Sequence, residues 1–433
     1  MEHPTLETMA RWLAGRLEHE TVLREIAPHL QAQCPVCREQ YEQILRLTRE
    51  VGHSDEEVGV IEWREAPELL AQLEELAFPE RVRRAEEDEA FHTWGLCQLL
   101  LQRSREVVSE SPKTAHERSE LAVMVSRRLS PAYDPGWILD LRARAHAHVG
   151  NALRVLGELV SAESAFRKAD SCLTQSQTGN AWVEAEVMDM RASLRIDQRR
   201  FDEALDLLDR AQDGYRQEKD SHGLAKVVLQ RAKLFREKGD LEQAIDLLQR
   251  TDEISRSEEP HLYALAQHNL IGFLALAGRF EEAEKLVGEV RPLFRETALP
   301  LDWVRLRWSE GTVAFGLGRL DEAEAAYREV QRDLLKHGVL YSVALVSLDL
   351  ALLLSRQGRT EELKLLAAEL MEIFSAQEIH REATAALVLF QRACEEERVT
   401  AELISRLTAL LRRKSQPAAF RSDGEPIQGL VTK

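Results

Sequence analysis

The chain has 433 residues, of which 57 are Lys or Arg and 74 are Asp or Glu, for a net charge of −17. That balance excludes a general binder of phosphate backbone, whose affinity comes from clustered cations, while leaving room for a local basic patch. With 44% hydrophobic and 30% charged residues, the composition excludes a disordered chain and predicts a folded, helix-rich protein of several domains or a repeat array.

Met1 to Glu7 contain neither the basic nor the apolar run of a secretory signal, so a cytoplasmic location is expected. The longest apolar stretch, Val343 to Leu354, is too short for a bilayer and is interrupted by Asp349, so no membrane partner is expected. Five cysteines in a chain of this length argue against a disulfide framework. Cys97, Cys172 and Cys394 lie in helical patterns and read as small buried hydrophobes.

In the first domain, residues 1–50, His29 precedes the Cys34-Pro35-Val36-Cys37 knuckle. Zinc prefers thiolate sulfur and imidazole nitrogen in a closed tetrahedral set, and a C-x-x-C pair places two thiolates on one metal without strain. His3 or His19 would supply the fourth ligand. So short a segment with few large aromatics buries little core, which makes one structural Zn2+ physically sensible. Two other readings of the pair remain: buried apolar thiols, or a redox pair with a lowered thiol pKa.

This segment resembles the zinc-binding anti-sigma-factor domain, a small helical module. The resemblance rests on His3, the run Met9-Ala10-Arg11-Trp12-Leu13-Ala14-Gly15-Arg16-Leu17-Glu18, and then His29, Cys34 and Cys37. By this alignment His3 stands where the family often has cysteine, and the gap from His29 to Cys34 is one residue longer than is usual there. The resemblance implies His3, His29, Cys34 and Cys37 as metal ligands and an extracytoplasmic-function sigma factor as partner.

Residues 51–86 read as a helical linker. Ser54-Asp55-Glu56-Glu57 has a capping-box form, and a second helix is predicted to start at Pro67, a good first-turn residue. These helices either clasp a partner, as the resemblance implies, or pack on the first hairpin. Residues 87–136 read as that hairpin, a degenerate one, with Phe91, Trp94, Leu96, Leu99 and Leu100 on its first helix and Leu121, Val123, Met124 and Val125 on its second.

From residue 137 to 414 a turn signal recurs. Lys238-Gly239-Asp240-Leu241, Ala277-Gly278-Arg279-Phe280 and Leu317-Gly318-Arg319-Leu320 share one form, and the anchors at 157, 199, 239, 278, 318, 358 and 397 are 39 to 42 residues apart. Such a period reads as a solenoid. An apolar-periodic helix ends at each anchor, where glycine tolerates the left-handed conformation of a C-cap, and acidic residues such as Asp321 and Glu322 open the next. A lone hairpin cannot bury both of its apolar stripes, so neighbours must stack.

These residues resemble the tetratricopeptide repeat. Gly150, Leu153, Gly157, Ala162, Phe166 and Ala169 fall on that family's small and large positions, as do Gly311, Gly318, Ala323 and Tyr327 later on. The period near 40 exceeds the family's usual length and implies longer helices. In the last unit Glu402 stands where alanine is expected, which suggests a polar cap, and residues 415–433 read as a disordered tail.

The resemblance also implies a concave groove lined by the first helix of each unit. Counting back from each anchor places Arg144, Asn151, Arg154, Lys226, Lys233, Arg236, His268, Arg305, Trp308, Thr312 and Phe315 on it. Its basic bias favours an acidic peptide, with Trp308 and Phe315 as apolar anchors; the alternative is a groove that fills itself. No nucleophile elbow, Walker loop, dinucleotide fingerprint or paired zinc-protease histidines appear, so no enzymatic activity is expected.

The fold class expected is therefore all-α, a small zinc-binding helical module followed by a tetratricopeptide-like α-solenoid. The function expected is non-enzymatic protein binding: sequestration of a sigma factor by the first module, with the repeats docking a peptide or protein. The alternative is a repeat scaffold in which the zinc knuckle is purely structural.

Overall fold

The structure, a computed structural model, describes residues 56–108, 111–131, 133–250, 256–297, 300–375 and 400–414, together with positions 3, 4, 8, 26, 29, 254, 390 and 394. His19, Cys34, Cys37, the anchor at 397 and the 415–433 tail lie outside the described residues. The described elements are all helical: α1 Glu56–Glu74, α2 Phe78–Glu87, α3 Trp94–Val107, α4 Pro112–Arg128, α5 Pro135–Val155, α6 Leu159–Ser176 and α7 Ala181–Asp197. They continue with α8 Phe201–Gln217, α9 Ser221–Lys238, α10 Leu241–Arg250, α11 Pro260–Leu276, α12 Phe280–Thr297, α13 Pro300–Gly316, α14 Leu320–Lys336, α15 Leu340–Arg356, α16 Thr360–Ser375 and α17 Ala401–Lys414. The chain forms two compact units that divide inside α7, one ending at Arg191 and the other beginning at Ala192. Among the described residues no helix is long and apolar enough to cross a membrane.

In the first unit consecutive helices pack as hairpins, α3 with α4 and α5 with α6, and α4 also packs on α5. The helix α1 lies against α3, so the linker packs on the hairpin next to it in the chain. Gly95 permits this contact: a Cβ there would stand 2.3 Å from the carbonyl of Glu62. The Glu62 carboxylate then accepts from Gly95 N at 3.2 Å and from the Tyr133 hydroxyl. Arg118 closes the other end with a 2.6 Å bond to Glu74. The expected helix start at Pro67 is corrected, because α1 runs through that residue rather than starting at it. A proline inside a helix loses one hydrogen bond and crowds the carbonyl four residues earlier, here that of Trp63. Burial of Ala66, Leu70 and Leu73 offsets that cost.

The turn anchors behave alike in both units. Gly157, Gly239, Gly278, Gly318 and Gly358 take left-handed φ between 69° and 97°, and Arg199 takes the same region at 58° without being glycine. Arg199 is held there by the paired bonds of a Schellman cap, Arg199 N to Ile196 O at 2.9 Å and Arg200 N to Arg195 O at 2.8 Å. The close-approach residues are equally plain. A Cβ on Gly150 would lie 2.8 Å from the Phe166 ring, and one on Gly311 would lie 2.9 Å from Tyr327.

In the second unit α9, α11, α13 and α15 pack side by side, and each also packs on the helix that comes after it in the chain. The arginine after each late anchor ties neighbouring hairpins together. Arg279 bonds Glu282 of its own hairpin at 2.7 Å and Glu242 of the preceding one at 3.3 Å. Arg319 likewise reaches Glu322 and Glu284. Arg359 bonds Glu362 at 2.6 Å and Glu324 at 2.5 Å. These pairs are solvent-accessible, so each contributes little alone and they act chiefly as a register device.

Candidate functional site

Because α9, α11 and α13 lie side by side, positions one repeat apart fall on one face. Lys233, Gly272, Thr312 and Leu352 occupy one such register. Three of these carry side chains, but Gly272 leaves a gap, and a Cβ built there would meet nothing within 4 Å. A pocket of about 340 Å³ opens over it, lined by residues of α9, α11 and α13. Its apolar part includes Ile271, Phe273, Ala275, Leu276 and Trp308, and its polar part includes His268, Asn269, Ser309 and Thr312. Arg236 and Arg305 are the charged residues of the lining.

Several of the polar groups are held by neighbouring side chains. The Trp308 indole donates to Asp349 on α15 at 2.8 Å, which leaves its ring half-buried against the pocket. Ser309 Oγ and His268 Nε2 are 3.1 Å apart. Burial holds the His268 imidazole below its ordinary range, so it is neutral near pH 7. Arg305 bonds Asp302 at 3.1 Å, and that carboxylate also meets His261 at 3.1 Å. The hydrogen bond to Asp302 raises the His261 pKa. Arg236 pairs with its neighbour Glu237. Both guanidiniums are thus steadied by carboxylates on their own helices and retain further N–H donors for a ligand.

The residues expected on the groove are not all brought together. Arg236, His268, Arg305, Trp308 and Thr312 come together at this pocket. Lys226 and Lys233 lie half-buried on α9, with Lys233 Nζ 3.8 Å from Asp197. Phe315 is capped by the Arg356 guanidinium, 4.3 Å from its ring centre, which occupies the face an apolar anchor would offer. In the first unit Asn151 and Arg154 bond each other at 3.0 Å. Gly272, Asn269 and Leu276 were not expected on the groove, and the signal for Gly272 was available: a glycine inside an apolar helix, one place after the close-approach position.

Arg144 requires a correction, since it is core rather than groove. It is 2% exposed, bonds Glu186 at 2.6 Å and Gln98 at 2.9 Å, and lies 4.7 Å over the Trp182 ring. Arg105 bonds the same Glu186 at 3.1 Å, and His148 Nε2 stands 3.6 Å from it. Burial disfavours the Glu186 charge, but Arg144, His148 and Arg105 more than offset it and hold the carboxyl well below its usual range. Cys97, Cys172 and Cys394 are all buried, and burial pushes the Cys97 thiol up to about 12 and the Cys172 thiol upward as well, which disfavours their reactive thiolate form.

Of the four expected metal ligands, Cys34 and Cys37 lie outside the described residues. His3 and His29 are described, and their rings are 5.1 Å apart although the residues are far separated in sequence; His29 is buried. Two imidazoles at that separation fit a shared metal. Among the described residues no three His, Cys, Asp or Glu converge on a metal-sized site.

Residues 138–307 match the family model described as the MalT-like TPR region, so this stretch is a tetratricopeptide-type repeat region. No curated protein matches the chain. Among solved structures it is similar to a signal-transduction ATPase (STAND) protein with a tetratricopeptide repeat sensor from Pyrococcus horikoshii, at 12% identity and a TM-score of 0.50, over 96% of this chain and 64% of that one. It is also similar to a Rap protein complexed with competence and sporulation factor, at 13% identity and TM-score 0.48, over 74% of this chain and 87% of that one. A third is aspartyl phosphate phosphatase F from Bacillus subtilis, at 16% identity and TM-score 0.48, over 84% of this chain and 97% of that one. The chain therefore spans about 64% of the length of the STAND protein, whose likeness bears on the helix-repeat fold alone.

Proposed function

We propose that this chain is a non-enzymatic regulator that binds a protein or peptide on the concave face of its tetratricopeptide-type region. The observation that carries the reading is the pocket over Gly272, where three helices present an apolar floor, two arginines and a set of pre-positioned polar groups. A concave, mostly apolar surface with a few fixed polar groups is the usual form of a recognition site, and stacked hairpins present such surfaces along one side. The test is placement. A photo-reactive residue at Thr312 should cross-link a dodecapeptide selected on the full-length chain, whereas one at the exposed Leu365 should not. Cross-linking from Leu365 alone would sink the reading.

A second component is favoured by the approach of His3 to His29. In this reading His3, His29, Cys34 and Cys37 hold one structural zinc, and the module around them sequesters an extracytoplasmic-function sigma factor. The metal would supply cross-linking rather than chemistry, tying a segment too small to bury much core. Elemental mass spectrometry should find about one zinc per chain, lost in a Cys34→Ser, Cys37→Ser double variant together with capture of a sigma factor. Metal-free protein that still captures sigma would leave the module without its zinc, and zinc-loaded protein that captures none would leave zinc as a staple in a repeat scaffold.

A further inference from the structure

Three glycines within helices of the repeats have different reasons for being there. At Gly150 and Gly311 a facing aromatic ring occupies the space a Cβ would need. Nothing occupies that space at Gly272, although glycine weakens a helix interior relative to alanine. What the missing side chain leaves is the floor of the pocket. On one side of that floor lies Arg236 from α9, and on the other Arg305 and Trp308 from α13; among the described residues no carboxylate lines the pocket. Beside the floor Leu276 is 58% exposed, an apolar side chain with half its surface uncovered.

We infer that the pocket is a specificity subsite for an acidic residue of an extended peptide, with an adjacent large apolar side chain seated over Gly272. The inference rests on the concave-face reading above and says which peptide that face selects. The carboxylate is met by the free guanidinium edges of Arg236 and Arg305, a charge-assisted and geometrically selective contact. The apolar side chain lies between Leu276 and Trp308, whose indole is fixed by Asp349 and so needs little ordering when the peptide arrives. Ser309, held 3.1 Å from the neutral His268, offers its hydroxyl to peptide backbone without adding a cation. The side chain at position 272 is thereby a gate, since any larger residue fills the seat.

The experiment is a selection of random dodecapeptides, displayed with both ends fused, on the full-length chain. The best binder is then synthesised both in acetylated and amidated form and with a free C-terminal carboxylate, and each form is titrated by fluorescence anisotropy. The enriched set should place Asp or Glu beside Leu, Ile or Phe. Gly272→Leu should weaken the synthetic peptide at least tenfold while leaving the melting temperature no lower, because open space receives the new side chain. In an Arg236→Glu, Arg305→Glu variant the selection should turn to Lys or Arg at the acidic position. An enriched set with no acidic position, or affinity within twofold in Gly272→Leu, overturns the inference. Peptides that ignore Gly272→Leu but are lost on charge reversal of Lys226 and Lys233 keep the groove and remove this subsite. Binding only by peptides with a free C-terminal carboxylate overturns the side-chain source, and no enrichment at all removes the groove reading with it.

Discussion

Gly150 and Gly272 have the same composition and opposite surroundings, and one substitution distinguishes them. At Gly150 a methyl group would press on Phe166, which is itself fully buried and has nowhere to move. Set against the helix-propensity gain of about 1 kcal/mol, the overpacking cost of about 1–3 kcal/mol leaves Gly150→Ala a net loss of up to about 2 kcal/mol. At Gly272 the propensity gain is unopposed, and Gly272→Ala should gain roughly 0.5–1 kcal/mol. Urea unfolding of the two variants beside the parent checks both signs; two losses would mean that the Gly272 site is packed. The small residue at Gly150 was legible from its place in the repeat, because close helix approach is a local demand. The emptiness at Gly272 was not, because it depends on what neighbouring hairpins bring opposite.

Single helices carry a pH dependence of their own. On α5, His146 and His148 lie two residues apart and are both buried. Burial lowers both imidazole pKa values, that of His146 to about 4 with Lys168, Arg127 and Arg142 adding to the effect. For His148 the nearby Glu186 opposes the fall without reversing it. A group whose folded pKa is depressed stabilises the fold above its unfolded pKa, and that stability is lost as pH falls toward the folded value. Acid between about 6.5 and about 4 should therefore weaken the first unit, by on the order of 2 kcal/mol at His146 after allowance for solvent screening. Unfolding midpoints of the parent and His146→Gln across that range provide the measurement. A variant as acid-sensitive as the parent would relocate the effect to other groups. Two histidines at i and i+2 on a helix point in different directions and do not easily share a metal, but the burial of His148 beside Arg144 and Glu186 depends on helices distant along the chain. Arg144 shows the same limit: register places it on the inner helix face, yet the hairpin α3–α4 covers that face in the first unit. At Pro67 the local rule for a helix start was outweighed by burial of α1 on α3.

For the molecule as a whole, the helix-repeat architecture of each unit was legible because most hairpins repeat the same punctuation. A left-handed anchor closes one helix, acidic residues open the next, and a small residue admits the facing ring. These are short-range causes, so one chain read in order contains them. The linker Glu56–Glu74 shows where that ends, since the same amphipathic helix serves to clasp a partner or to cover a neighbour. Gly95, placed where only a bare backbone fits under Glu62, decides for the neighbour. The proposed metal module stands between the two cases. Its ligand types and the C-x-x-C spacing are sequence facts, while the approach of His3 to His29 is a tertiary one. By itself the sequence determined the all-helical class and the repeat period, because each is written in short-range patterns that recur from one hairpin to the next. Only the tertiary structure decided that Arg144 is core, that Arg356 covers Phe315, and that the hollow lies over Gly272 between Arg236 and Arg305. Those outcomes depend on which side chains meet across helices some forty residues apart, a distance over which no local pattern constrains the chain.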